Sequence, residues 1–155
     1  LFLLWEKEKA IIVKLKSKSV LKLTNKEYQI LYQLNLGDEG SMQSILEALR
    51  NKKPTVKDGH VIMAIIEDKI VGWCLFWKSK WKRKYYTAYF FVSESYRRKG
   101  IGTKLSKHLK TLQKKKCLPP ISLYPFDKIG DSFFKKNKAK KSGSSLYSLY
   151  FPAAA

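Results

Sequence analysis

The spacing of hydrophobic and polar positions changes several times along the chain. Val13, Leu15, Leu21 and Leu23 nearly alternate with Lys14, Lys16, Lys18 and Lys22, the period of two expected of a strand with one wet face, with breaks near Ser17 and Ser19. The period then lengthens. Thr24 and Glu27 form a Thr-x-x-Glu capping box ahead of Tyr28, Leu31 and Leu34, which predicts a helix that Gly37 stops. A second helix is expected from about Ser41, with Met42, Ile45, Leu46 and Leu49 inward. It ends before Pro54, which has no N–H to continue it.

Alternation returns at residues 61–66 and 70–77, two β-rich runs separated by Glu67, Asp68 and Lys69, the pattern of a hairpin. Trp73, Leu75 and Trp77 share one face and Gly72, Cys74 and Phe76 the other, so this strand has two apolar faces and belongs in the middle of a sheet. Residues 85–92 follow the basic turn 78–84 as a third strand of the meander, aromatic on both faces. From Gly100 to Lys116, Ile101, Leu105, Leu109 and Leu112 recur at helical spacing with lysines on the other side. Pro119 and Pro120 close that helix, 121–124 reads as a short strand, 127–136 as a helix and 146–151 as a last strand. The order ββαα, βββ, αβαβ defines a mixed α/β (α+β) class, a mostly antiparallel sheet flanked by helices.

At 155 residues the chain has the size of one domain, taken as 1–152 with 153–155 as an appended tail; the absent initiator Met and the terminal alanines suggest a trimmed or tagged chain. The longest apolar run, Val61 to Ile66, is six residues, which excludes a membrane-spanning helix there, and Leu1 to Trp5 is too short for a secretion signal. Two cysteines, Cys74 and Cys117, build no disulfide framework and no zinc motif, so a reducing, cytoplasmic setting and no metal are expected. The net charge of +20 changes the picture more: such a surface draws anions of any kind, including nucleic acid, acidic protein and phosphorylated cofactors. The excess is concentrated at Lys99 to Lys116 and at Lys135, Lys136, Lys138, Lys140 and Lys141.

The chemistry is concentrated in residues 92–103, Val-Ser-Glu-Ser-Tyr-Arg-Arg-Lys-Gly-Ile-Gly-Thr, a strand end, a basic turn, two glycines and a helix start. Backbone N–H groups at a helix N-terminus point at a ligand, and glycines let the backbone come close to phosphate oxygens. A Gly-x-Gly before a helix serves either as such a cradle or as a plain tight turn.

The string Arg97-x-x-Gly100-x-Gly102 resembles the Gln/Arg-x-x-Gly-x-Gly/Ala signature of the GNAT N-acetyltransferase superfamily, with Glu94 where that family often has proline. The element order from about Val20 to Phe134 is similar as well. This resemblance implies a sheet splayed between the family's fourth and fifth strands, here 85–92 and 121–124, with acetyl-CoA in the splay. It implies that Phe90, Phe91 and Val92 offer backbone groups to the pantetheine. Arg97, Arg98, Lys99, Gly100, Ile101, Gly102 and Thr103 would hold the pyrophosphate, with Lys104 or Lys107, on charge alone, beside the ribose phosphate.

A further family motif, Asn-x-x-Ala-x-x-Phe-Tyr-x-Lys, lies on Asp127, Gly130, Phe133, Phe134 and Lys136, which puts Phe134 at the cofactor in place of a tyrosine that serves many members as general acid. The implied reaction is attack of an amine on the thioester, with a strand N–H such as that of Val92 facing the oxyanion. Tyr89 and Tyr124 are the hydroxyls to test as catalytic groups, each also readable as a core aromatic, and Glu94 reads as a turn residue. His60, His108 and Cys117 read as structural or inert. Lys80, Trp81, Lys82, Arg83 and Lys84, with Lys135, Lys136 and Lys138, are candidate contacts for nucleic acid or an acidic partner. Two functions follow: acetyl transfer to an amine acceptor, on a nucleic-acid-associated or acidic partner, or a lapsed module of the same fold that binds nucleic acid.

Overall fold

The chain begins with a hairpin, β1 (Phe2–Glu6) against β2 (Lys9–Ser19), in which Phe2 pairs with Val13 and Glu6 with Lys9. The apolar residues at the start of the chain, too short for a secretion signal, are thus a strand. Nor do the serines break β2, because Ser17 and Ser19 pair in register with Ile62 and His60 of the next strand. The computed structural model describes residues 2–6, 9–34, 59–78, 86–123, 128–141 and 149–153. The second expected helix, Gly37, and the basic segment Lys80 to Lys84 lie outside them.

α1 (Asn25–Leu34) starts at the expected capping box: Glu27 N–H donates to Thr24 Oγ1 at 3.1 Å and Thr24 N–H to Glu27 Oε1 at 3.0 Å. Lys18 Nζ donates to the same carboxylate oxygen at 2.8 Å, tying β2 to the helix start. β3 (His60–Ile66), β4 (Lys69–Lys78) and β5 (Tyr86–Val92) form the meander. Glu67 and Asp68 both have positive φ, 48° and 63°, as a two-residue hairpin turn whose twist matches its strands requires.

From β5 the chain enters α2 (Ile101–Lys115) and crosses to β6 (Ile121–Leu123), which lies parallel to β5, the connection a parallel pair needs. α3 (Lys128–Lys136), β7 (Lys140–Lys141) and β8 (Leu149–Phe151) complete the order. The described strands make one sheet, β1-β2-β3-β4-β5-β6-β8-β7, antiparallel except at β5–β6. The N-terminal hairpin adds a strand, so the family's fourth and fifth strands are β5 and β6 here.

Two cores cover the two faces. On one, Ile101, Leu105 and Leu109 of α2 and Phe134 of α3 pack on Cys74, Phe76 and Ala88. On the other, Leu23 and Leu31 meet Met63, Trp73, Leu75 and Tyr89. β4 is buried on both sides, as its two apolar faces predict. The three buried apolar side chains of α2, Ile101, Leu105 and Leu109, contribute about 1.5–3 kcal/mol each, enough to fix the helix against the sheet. Gln113, on the same helix and 2% exposed, points Nε2 at the carbonyls of Pro119 (3.1 Å), Phe151 (3.3 Å) and Pro152 (3.1 Å), stitching the C-terminal strand to the crossover.

Candidate functional site

β5 has neighbours of unequal reach. β4 accompanies it from Lys78↔Tyr86 to Gly72↔Val92, whereas β6 pairs only with Tyr86, Thr87 and Ala88. In an antiparallel ladder, successive residues point their N–H and C=O alternately at the partner and away from it. Ser93 N–H donates to Val71 C=O at 2.7 Å, which makes Gly72 and Val92 a non-hydrogen-bonded pair. Val92 and Phe90 therefore turn their backbone groups toward the β6 side. Tyr86, in phase with them, donates to Pro120 C=O at 3.0 Å on that side. Past Ala88 no described strand covers this edge. An amide-bearing chain could lie along it as an added strand.

This geometry sorts the three residues expected to meet a pantetheine. Phe90 and Val92 face the gap, while Phe91 is paired with Trp73 and turns its backbone groups to β4. The expectation for Phe91 is corrected by the phase of the ladder, which side-chain pattern does not reveal.

Beyond β5 a short 3-10 turn, Glu94–Tyr96, leads into the basic loop. Arg98 (φ 63°) and Gly100 (φ 84°) are left-handed, which curls the chain into the start of α2. Gly100 is the N-cap and gives no side-chain cap, and the first helical bond runs from Lys104 N–H to Gly100 C=O at 3.1 Å. A helix leaves its first N–H groups without internal acceptors. Among the described residues nothing accepts from Ile101, Gly102 or Thr103. Three donors and the positive end of the helix dipole therefore stand at the start of α2, with Arg98 and Lys99 in the loop that leads into it.

The two glycines do different work. Gly100 supplies the positive φ with open space around it; at Gly102 a Cβ would lie 3.0 Å from Phe133 Cζ, so this glycine admits an α3 ring against the helix start. Gly72 is needed too, since a Cβ there would meet the Phe91 carbonyl oxygen at 3.0 Å.

Arg97 does not simply join the cradle. Its Nε donates to Val92 C=O at 2.8 Å and its guanidinium carbon lies 5.7 Å from the centroid of the Phe91 ring. Phe91 belongs to the core on the α1 face, with Trp73, Trp77 and Tyr89, opposite the face that carries α2. Lys99 Nζ lies 5.6 Å from the Tyr96 ring centroid.

Phe134 is 3% exposed, its ring 5.3 Å from Phe90, 5.4 Å from Phe133 and 6.4 Å from Phe151, so the side chain serves the core. Half-buried Phe133 stands nearer the helix start. Tyr89 stacks flat on Trp77, 5.3 Å apart at 3°, and is 9% exposed. Tyr124, Lys80, Trp81, Lys82, Arg83 and Lys84 lie outside the described residues. Lys135, Lys136 and Lys138 are exposed at the end of α3.

Near them, Lys110 Nζ donates to Asn137 C=O and rests 4.4 Å from the Phe151 ring centroid. Burial, and then the neighbouring Lys138, hold its pKa below the ordinary lysine value. Burial pushes the Cys74 thiol well up and His108 down. His60 stacks on Phe76 at 5.4 Å. Two features escaped the sequence reading. One is the Gln113 clamp. The other is Trp73, whose buried Nε1–H finds no acceptor among the described residues.

A mixed sheet whose β5 edge runs on past β6 among the described residues, beside an uncapped helix start, could take an elongated ligand with peptide-like and phosphate ends. The chain belongs to the acetyltransferase (GNAT) family, whose model matches residues 19–127. The family's cosubstrate is acetyl-CoA and its general chemistry is acetyl-CoA-dependent acyl transfer.

Solved structures share the fold. A GNAT-family protein from Desulfovibrio desulfuricans superposes with a TM-score of 0.73 at 10% identity, over 92% of this chain and all of that one (100%). An acyl-CoA N-acyltransferase from Pseudomonas aeruginosa gives 0.68 at 16% identity, over 90% and 97%. AtaTR, solved with AcCoA bound, gives 0.63 at 13% identity, over 91% and 94%. No curated protein matches the sequence. Among the described residues no helix is long and apolar enough to cross a membrane.

Proposed function

We propose that this chain is an N-acetyltransferase that moves the acetyl group of acetyl-CoA to an amine acceptor carried by, or presented with, an acidic or polyanionic partner such as nucleic acid. The observation that carries the reading is the open backbone edge at Phe90 and Val92 beside the uncapped start of α2. Phe90 and Val92 would hold the pantetheine amides; the N–H groups of Ile101, Gly102 and Thr103, with Arg98 and Lys99, would hold the diphosphate. Acetyl-CoA supplies an activated thioester, and an N–H farther back along this strand edge would meet the carbonyl charge that develops. Tyr89 remains the described hydroxyl to test by Tyr89→Phe. The basic surface, including Lys135, Lys136 and Lys138, supports a polyanionic partner through long-range attraction.

Thermal stabilisation by acetyl-CoA tests the cofactor claim: at about 100 times Kd the fold should gain about 2.7 kcal/mol. Arg98→Asn, which keeps a residue tolerant of the left-handed φ and removes the charge, should weaken that binding several-fold. Absence of stabilisation at saturating acetyl-CoA overturns the proposal.

A second reading has its own support. Phe134 has no hydroxyl where many relatives carry their acid, and its ring is sealed in the core. On this reading acetyl-CoA binds without turnover and the chain holds nucleic acid through its lysines. Labelled acetyl-CoA offered with a mixed cell extract separates the two: transfer to any fraction supports the enzyme. No transfer, together with salt-sensitive nucleic-acid binding weakened by Lys-to-Glu changes at 135, 136 and 138, supports the module.

A further inference from the structure

We infer that one face of the molecule, formed by the C-terminal half of α2, the turn after α3 and β7, docks the phosphate backbone of a nucleic-acid duplex. The inference rests on the polyanionic partner of the reading above. It names the surface and the kind of polyanion, and it does not depend on turnover.

The fold assembles this face from two lysine clusters that are far apart in sequence. Lys110 Nζ donates to Asn137 C=O and lies 4.4 Å from the Phe151 ring centroid, so α2 is joined there to the end of α3 and to β8. Burial and then the charge of Lys138 depress the Lys110 pKa, which marks the two ammonium groups as neighbours. Lys114 stands one turn further along α2, at the i+4 spacing that puts side chains on one face. On β7, Lys141 pairs with Leu149 and Lys140 with Tyr150. Paired residues point to the same side of a sheet, and Leu149 is buried in the core beneath α2. Lys141 therefore faces the α2 side and Lys140 the other. Lys114, Lys138 and Lys141 are exposed.

Three features select the partner. The first is unrelieved charge. Of the 12 Asp and Glu residues only Asp127 and Asp131 follow Glu94, and among the described residues no carboxylate pairs with Lys110, Lys114, Lys138 or Lys141. Like charges gathered without counter-ions repel, and a polyanion removes that repulsion. The second is the lack of apolar anchors. Among the described residues the exposed large hydrophobics are Leu3, Ile12 and Leu21, all ahead of α1. A protein partner needs apolar or aromatic anchors to bury, and a single strand needs rings on which to stack its bases; a duplex backbone needs neither. The third is residue type. The cations are lysines, point charges that meet phosphates without reading bases. The face is also separate from the cofactor loop: at 1.5 Å per residue, Lys110 and Lys114 lie about 14 and 20 Å along α2 from Ile101.

Fluorescence anisotropy across a salt series tests this with labelled RNA and DNA duplexes, the corresponding single strands, and poly-glutamate as an acidic-protein mimic. The two duplex arms show which backbone is preferred. That duplex should bind more tightly than its single strand or poly-glutamate, and two unrelated sequences should agree within about 2-fold. Lys114→Gln, Lys138→Asn and Lys141→Gln should each lower the slope of log K against log salt by about 1, and together should weaken binding by about 10-fold or more. Lys14→Gln, Lys16→Gln and Lys140→Gln combined remove the same charge from the other side of the sheet, where Lys16 pairs with Met63 of the α1-side core. That control should leave the slope within about 1 of the parent. Saturating acetyl-CoA should not displace the duplex.

Equal losses from the two triple variants overturn the inference, since net charge alone would explain them. So does tighter binding of single strand or poly-glutamate, and so does competition between duplex and acetyl-CoA, which would put the duplex on the cofactor loop. Absence of salt-sensitive binding to every probe overturns the polyanionic partner as well. Stabilisation by acetyl-CoA, measured in the same samples, shows separately whether the acetyl-transfer reading stands.

Discussion

Replacing Phe134 with tyrosine asks the structure a direct question. The ring is 3% exposed and surrounded by Phe90, Phe133 and Phe151 at centroid distances of 5.3, 5.4 and 6.4 Å, all apolar. A hydroxyl added there must either be buried without a partner or push the ring out of place. An unsatisfied buried hydroxyl costs about 1–3 kcal/mol. For a chain of this length each kcal/mol lowers Tm by about 2–4 °C. Phe133→Tyr is the comparison: that ring is half-buried, but its para carbon packs against Gly102 at the start of α2, so an added hydroxyl must turn the ring toward solvent. Thermal and denaturant melts read both, and thiol release from acetyl-CoA reads rate. The account expects Phe134→Tyr to lose stability and gain no rate. If the variant is as stable as the parent and faster by about 10² to 10⁴, the range one general acid supplies, then the ring faces the reaction and its placement in the core is refuted.

Four further perturbations follow from local geometry. Thr24→Ala should cost about 1 kcal/mol in a denaturant melt, because it removes the hydroxyl that receives Glu27 N–H. Burial raises the pKa of Glu27, but the bonds from Lys18 and Thr24 outweigh it and the net value lies below 4.5, so its contribution is present above the unfolded pKa and is lost as pH falls through the lower folded one; Glu27→Gln should flatten that acid limb. Cys117 and Lys138 end α2 and α3 with φ of 52° and 69°, where glycine is free of Cβ strain, so Cys117→Gly and Lys138→Gly should each raise stability by about 0.5–1 kcal/mol and add when combined. Gln113→Leu leaves the carbonyls of Pro119, Phe151 and Pro152 without their donor, and should cost about 2 kcal/mol or more and speed amide exchange in β8.

The helix α2 was legible because Ile101, Leu105 and Leu109 repeat on one face and Gly100 stands at its start; the capping box was legible because two side chains three apart declare it. The meander followed from alternation, and the two apolar faces of β4 placed it centrally. Other features depend on register, which one-dimensional pattern leaves open. Whether Phe90 or Phe91 offers its amide to the gap is decided by which residue of β4 lies opposite, and β2 runs through Ser17 and Ser19 because β3 supplies partners there. The α3 ring beside Gly102 and the bond from Arg97 Nε to Val92 C=O likewise depend on tertiary placement. The family motif carried Phe134 toward the cofactor, and packing against Phe151 carries it into the core.

Amide hydrogen exchange, with and without acetyl-CoA, tests the central claim most directly. The account predicts new protection at the N–H groups of Phe90, Val92, Ile101, Gly102 and Thr103, with little change at Phe91, whose amide already belongs to the ladder with β4. Unchanged exchange at those five amides under saturating acetyl-CoA, or protection centred on Phe91 instead, would contradict it.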